Sequence, residues 1–551
     1  MEFKMTRLAW SLLLASCLPA QVTSGVTFDR LLQAQKEPQN WLTYSGTYSG
    51  QRYSLLNQIT PANAKDLELQ WVFQANSVQK FEATPLVVDG VMYLTQSPSD
   101  VIALDPKSGH VFWIYQHHTP PDVLFCCGQV NRGVAMLGNT LFVGTLDARL
   151  VALDSRSGRP LWNVAVADYK AGYGITHAPL IVKDKVVVGT SGGEYGIRGL
   201  IAAYEVTAGK LAWKFNVIPG PGEPGHETWR EGDWQHGGGS AWMTGTYDPE
   251  LNLIYWGTGN PGPDWDPDGR PGDNLYTDCA LALDADTGKL RWHFQFTPHD
   301  GGDWDSTEVP VLVDTDWNGK PRRLLMWANR NGFFYVLDRE TGKFVRGSAF
   351  VKQNWAKGLD DSGRPVLVTP SMTPTPEGQL TYPGVQGGTN WYPPSYSPRT
   401  GLFYIPAWED YSTRFVKAPT TYKEGQHFTG GRPMSPLPSI RRGWINTWTE
   451  EAGHGEVMAI DPKTGEKKWI FKMHDVTDGG LLTTASDLLF AGGREGYFYA
   501  FDARNGSVLW KANTGGQVSA APMTYEIDGK QYVAIAAGHS LFVYALRTAA
   551  Q

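Results

Sequence analysis

The chain has 551 residues, with 48 Lys and Arg against 55 Asp and Glu, a formal net charge of −7. The basic residues are scattered, which excludes the basic stripe of a nucleic-acid-binding protein. Its 62 glycines and 22 tryptophans, with few long helical patterns, point to many short strands joined by tight turns.

The N-terminus carries Lys4 and Arg7, then an apolar run from Leu8 to Leu14, then small residues, the layout of a secretory signal. Residues 1–25 are expected to be a leader cleaved near Ala20 or Gly25, and 26–551 a single mature domain. A second reading stays open, in which Leu14-Ala15-Ser16-Cys17 is a lipoprotein site and Cys17 the lipidated first residue. Both routes lead to an oxidising periplasm where disulfides persist. The mature chain then keeps Cys126, Cys127 and Cys279, and no later segment is apolar for long enough to cross a membrane as a helix.

From residue 105 onward one unit recurs: an apolar strand ends in Asp, Gly follows four residues later, and Trp four after that. The copies are Asp105/Gly109/Trp113, Asp154/Gly158/Trp162, Asp284/Gly288/Trp292, Asp461/Gly465/Trp469 and Asp502/Gly506/Trp510. Glu205/Gly209/Trp213 keeps the phase with Glu for Asp, and Asp338/Gly342 keeps it with Arg346 in the Trp place. An Asp carboxylate accepts N–H bonds within a turn, the glycine supplies positive φ, and the Trp opens the return strand, so each copy reads as a hairpin. Most intervals are about 40 to 55 residues, the length of a four-stranded blade. Between Asp338 and Asp461 there is room for a further blade plus a long insertion. Seven copies and one hidden blade predict an all-β, eight-bladed β-propeller with tryptophan-docking repeats. The run Ser540 to Leu546 is expected to close the ring against Leu69 to Phe73. Two stretches rich in Pro, Gly and aromatics, 344–380 and 408–444, read as ordered loops over one mouth.

Several features fall outside the repeat phase. Cys126 and Cys127 are adjacent; usual disulfides hold their α carbons at least about 4.4 Å apart, so reduced thiols and a strained bridge both stay open. The strand ending at Gly189 runs into Thr190-Ser191-Gly192-Gly193-Glu194, which sets a carboxylate among glycines where backbone can approach a ligand closely. Gly257-Thr258-Gly259-Asn260-Pro261 follows a strand in the same manner. The segment from Thr297 to Thr307 gathers His299, Asp300, Asp303 and Asp305 around glycines, as a solvated acidic loop or as a hard-cation site with a general base. No Cys-x-x-Cys-His occurs, so no covalent c-type haem is encoded.

These residues, over nearly the whole mature chain and in order, resemble the periplasmic quinoprotein alcohol dehydrogenases, which use pyrroloquinoline quinone (PQQ) with a bound metal. The resemblance implies a vicinal disulfide at Cys126-Cys127 over one face of PQQ, with Arg132 as the cofactor-binding arginine. It implies cofactor contacts from Glu82, Thr176, Ser191, Gly192 and Gly193, and stacking of Trp242 on the other PQQ face. Arg330 matches the arginine at the quinone oxygens and Asn390 a later cofactor contact. The implied metal ligands are Glu194, Asn260 and Asp305, with Asp305 also the catalytic base. Asp303 is a rival base because the loop before Asp305 is longer than the common form. Asp478 stands where many relatives have Trp, a departure from the pattern.

The implied reaction oxidises an alcohol to an aldehyde or ketone by hydride transfer to PQQ. A small-molecule alcohol is the expected substrate and a soluble c-type cytochrome the expected electron acceptor. Lanthanide-using members carry an Asp two residues after the base; Thr307 stands there, so Ca²⁺ is expected rather than a lanthanide. Two rival readings share the same repeats: a PQQ enzyme for sugars or polymeric alcohols, and a non-enzymatic propeller lipoprotein scaffold.

Overall fold

The computed structural model describes residues 25–368, 374–434 and 453–547. Among these are eight sheets of four or more strands. Seven are built on consecutive stretches of chain, 86–115, 135–165, 180–216, 246–295, 311–349, 395–472 and 482–513, the last with Tyr53–Ser54 added in parallel beside its first strand. The eighth joins 523–546 to the N-terminal strand Leu67–Gln74. Trp71 pairs with Val543 and Phe73 with Leu541, so the two ends of the chain close the ring as the sequence predicts.

Each blade runs antiparallel from an inner to an outer strand, and burial follows that order. The central strand Asp100–Leu104 is buried at every residue, because neighbouring blades cover both of its faces. The outer strand Val111–Tyr115 alternates half-buried with exposed, the pattern of a strand with one face in water.

The repeat residues join one blade to the next. In each turn the acid caps the loop; the Ser157 N–H, for example, donates to Asp154 Oδ1 at 2.9 Å. The Trp lies over the glycine of the following blade's turn, as Trp113 does over Gly158, where a Cβ would come 2.5 Å from the ring. Its indole N–H donates to the carbonyl just after the next acid, as from Trp113 to Ser155 at 3.2 Å and from Trp213 to Ala285 at 3.1 Å. Trp510 donates to Leu67 at 3.1 Å and Trp71 to Pro106 at 3.1 Å, which carries the chain of contacts through the closing blade. Arg346 takes the Trp place with its guanidinium against Gly465, donating to the Thr464 carbonyl.

The structure corrects two expectations. Among the described residues, the interval between Asp338 and Asp461 holds no extra blade; its only four-stranded sheet is the one that ends in the Asp461 copy. The hidden blade is the closing one, whose outer strand comes from the N-terminus and so breaks the repeat phase. The expected loops also begin later than predicted, since Phe344–Ala349 and Leu402–Glu409 are blade strands. The segments beyond these strands form two small sheets, Ala356–Leu359 with Pro365–Leu367, and Gln379–Thr381 with Thr413–Lys417 and Gly431–Met434. Residues 435–444 of the second stretch, and Cys17 with the expected leader up to residue 24, lie outside the described residues.

Candidate active site

Antiparallel blades bring two kinds of loop to one mouth of the ring. Connections between blades carry Glu82, Cys126 to Arg132, Thr176, Trp242, Asp305, Asn390 and Asp478. Loops joining the second and third strands of a blade carry Glu194, Asn260, Arg330 and Arg494. Together they enclose a cavity of about 470 Å³, within the range of small-molecule sites.

Cys126 and Cys127 are joined by a disulfide with α carbons 3.8 Å apart, and they face the cavity. Both sulfurs lie within 4.8 Å of a Glu194 carboxylate oxygen. Bridged sulfurs are not thiolate ligands, so this trio marks proximity rather than a metal centre. Arg132 pairs with Glu82 at 2.7 Å, both nearly buried, and its guanidinium sits 5.1 Å from the Trp242 ring and 4.3 Å from that of Trp391. Thr176 donates from its hydroxyl to the Trp242 carbonyl at 3.3 Å. Ser191, Gly192, Glu194 and Asn390 line the same cavity, whereas Gly193 and Asn260 lie just behind its wall.

Asp305 is the junction of the polar network. Its Oδ1 accepts the Asn260 backbone N–H at 2.8 Å. Its Oδ2 accepts Arg330 at 2.8 Å and the Trp242 indole N–H at 3.0 Å. Gly259 makes this possible, because a Cβ there would run into the Asp305 carboxylate. Asp303 also faces the cavity, but it lies 3.8 Å from Arg330 and is held in a left-handed turn at φ +57°. Arg330 spends a further N–H on the Val385 carbonyl at 2.6 Å, and Glu308 accepts its backbone N–H at 2.9 Å.

The surroundings hold more buried acid than base. Burial and the Asp305 charge push the Glu194 carboxyl up to about 7, and burial pushes Glu308 up to about 8. Asp264 is 1% exposed and neither of its carboxylate oxygens has a hydrogen-bond partner. Burial and the charge of Glu194 push its carboxyl well above the ordinary range, and the opposing pull of the nearby Asn260 side chain does not offset them. The charge of the fully buried Arg270 offsets this only in part, because that guanidinium makes no hydrogen bond to the Asp264 carboxylate and donates instead to the carbonyls of Pro263, Asp264 and Asp300 and to the Asn274 side chain. An unpaired buried carboxylate costs several kcal/mol, a cost that a cation held among Glu194, Asn260, Asp264 and Asp305 would offset. Oxygen-only donors of this kind suit a hard cation. The cavity itself, walled by an aromatic ring and a disulfide and supplied with arginines, suits a flat anionic ligand.

Lys80, Asp264 and Arg494 belong to the site without having been expected there from the sequence. Arg494 has a readable signal, since Gly492-Gly493-Arg494 repeats the strand-then-glycine pattern of the Glu194 and Asn260 loops. Asp264 lies in the Asn260 loop itself, four residues on. Lys80 carries no local signal.

Known proteins share this architecture and much of the sequence. A family model described as "PQQ: Glucose/ethanol/alcohol dehydrogenase, beta-propeller domain" matches residues 41–352 and 470–533. Quinoprotein alcohol dehydrogenase PedH of Pseudomonas putida is 40% identical over 96% of this chain and 91% of its own length. A 1-butanol dehydrogenase (cytochrome c) of Thauera butanivorans is 40% identical over 90% of this chain and 74% of its own. Among solved structures, a europium-containing methanol dehydrogenase superposes with a TM-score of 0.87 at 33% identity, covering 94% of this chain and 100% of its own.

Proposed function

The chain belongs to the PQQ-dependent quinoprotein alcohol dehydrogenases, and from that premise we propose how its own residues divide the work of oxidising an alcohol to a carbonyl compound. PQQ, when bound, supplies a quinone that accepts a hydride, made more electrophilic by a metal ion at its carbonyl. Trp242 and the Cys126-Cys127 disulfide would hold that flat ring and exclude water from it. Glu82 and Arg132 would bind and orient it, helped by Thr176, Ser191, Gly192, Gly193 and Asn390. Glu194, Asn260 and Asp305 are the metal ligands, a reading supported by the unpartnered oxygens of Asp264 beside them.

Asp305 takes the hydroxyl proton of the substrate. What supports Asp305 over Asp303 is its place in the network: three donors, from Asn260, Trp242 and Arg330, fix the direction of its carboxylate. Such fixed orientation is what a general base needs. Arg330 stays beside it as a positive charge that stabilises negative charge developing on the acceptor. Leu124, Phe125 and Val385 add apolar surface to the cavity, which favours a small-molecule alcohol.

The cation is read as Ca²⁺, because Thr307 offers no carboxylate two residues after the base. A soluble c-type cytochrome is read as the electron acceptor, in line with the name of the Thauera relative. The periplasm is read as the location; among the described residues no helix is long and apolar enough to cross a membrane. The test is reconstitution of the apoprotein with PQQ and either Ca²⁺ or La³⁺, followed by turnover of primary and secondary alcohols with an artificial acceptor. Turnover with Ca²⁺ is expected; no turnover with either ion would overturn the reading, and a higher rate with La³⁺ would overturn the choice of metal.

A further inference from the structure

The departure at residue 478 is accompanied by a set of charges that the proton and hydride steps do not use. Asp478 is 2% exposed and faces the same cavity as Arg132 and Glu82. Its Oδ2 accepts the Arg494 Nε–H at 2.8 Å and a Gln517 amide N–H, its Oδ1 accepts the Tyr392 hydroxyl at 2.8 Å, and Lys80 Nζ lies 3.5 Å from Oδ2. Arg494 is further seated over the Trp408 ring at 5.2 Å. Lys80, Tyr392, Trp408 and Arg494 all line the cavity.

The arrangement is a rigid anion holding two cations at a cavity wall. Burial alone would push the Asp478 carboxyl up, but Arg494 and Lys80 outweigh it and hold it below its ordinary value. Lys80 differs from Arg494 in being tethered at one end only: its side chain is 45% exposed and its contact with Asp478 is loose. It lies two residues before Glu82, on the segment that also places the Glu82–Arg132 pair. On this side of the cavity three cations, Lys80, Arg132 and Arg494, stand with two carboxylates, Glu82 and Asp478. A Trp at 478 would offer a single neutral N–H; the present set offers a half-exposed ammonium and a guanidinium instead.

We propose that Lys80 and Arg494, positioned by Asp478, form a carboxylate-binding subsite of the cofactor cavity, in which Lys80 swings from Asp478 to a carboxylate of PQQ. The proposal rests on the PQQ reading. Its consequence is that cofactor affinity here contains an ionic contribution that falls with salt. Binding, rather than turnover, reads it out: PQQ affinity of the Ca²⁺-loaded protein, followed by quenching of tryptophan fluorescence at several ionic strengths, for wild type, Lys80→Gln and Lys80→Arg. Lys80 is a half-exposed side chain, so both variants keep the fold. Lys80→Gln is expected to weaken PQQ about tenfold at low salt, the loss of one charge-assisted contact, and to flatten the salt dependence. Lys80→Arg is expected to retain affinity within about threefold, because the charge is kept. Equal affinity and equal salt slope in wild type and Lys80→Gln would overturn the subsite, as would a Lys80→Arg that loses as much as Lys80→Gln. Failure of the wild type itself to bind PQQ would instead overturn the reading on which the subsite rests.

Discussion

At the scale of single residues, the wall of the site is held by side chains that depend on staying uncharged or fully paired. His177 follows Thr176 and is fully buried. Its Nδ1 lies 2.9 Å from the Ala178 carbonyl and its Nε2 accepts the Gly189 N–H at 3.0 Å, contacts met by a neutral ring protonated on Nδ1. Burial pushes its pKa down to about 4, below the unfolded value near 6.5. The unfolded chain therefore takes up the proton first, and stability is lost as pH falls from about 6.5 through about 4. The loss from this one ring is on the order of 3 kcal/mol. Urea unfolding at pH 7 and pH 4.5 should show wild type losing about 2–3 kcal/mol more than His177→Gln over that interval. Equal losses in the two proteins would mean that the ring is not held neutral. At this scale the sequence is informative where a residue breaks the repeat phase, as Trp242 and the cysteine pair do. It is silent where a role comes only from assembly: nothing near Lys80 announces that it meets Asp478, 398 positions away.

Between blades, the stabilising element is the junction that each tryptophan makes with the next turn. Trp213 is almost buried, lies over Gly288 and donates to the Ala285 carbonyl at 3.1 Å. Trp213→Ala removes the ring, its hydrogen bond and the packing between the third and fourth blades, which carry Glu194 and Asn260. The expected cost is about 3–5 kcal/mol in denaturant unfolding, and a loss under about 1 kcal/mol would show that the junction is not a main contributor. These elements are legible because the Asp/Gly/Trp spacing is a local constraint repeated in phase. The closing blade is harder to locate, since its outer strand is supplied from the other end of the chain, and so is the extent of the insertions. Thr413 to Met434 keeps no repeat spacing, yet it docks on the loops that carry Glu194 and Asn260, with Phe428 N–H donating to the Glu194 carbonyl at 2.7 Å and Trp265 N–H to that of Thr429 at 2.8 Å.

For the whole molecule, an eight-bladed ring explains why the site residues are spread from Glu82 to Arg494. Every blade sends a loop to the same mouth, so a cofactor can be bound from all sides without any one element carrying the site. The strand order and the closure of the ring account for the geometry, and the family accounts for the chemistry. Around the cavity Asp303 and Asp305 gather on Arg330, while Lys80 and Arg494 gather on Asp478 and Arg132 on Glu82. We propose that Asp305 removes the substrate proton in a site that binds PQQ without its help. A single-turnover measurement tests it directly: the holoprotein, reconstituted with PQQ and Ca²⁺, is mixed with alcohol in the absence of an electron acceptor, and the quinone absorption is followed for wild type and Asp305→Asn. Wild type should bleach in proportion to bound PQQ, while Asp305→Asn should retain its PQQ and bleach at least about a hundredfold more slowly, the usual scale for loss of a general base. Bleaching of Asp305→Asn at close to the wild-type rate would show that Asp305 is not the base.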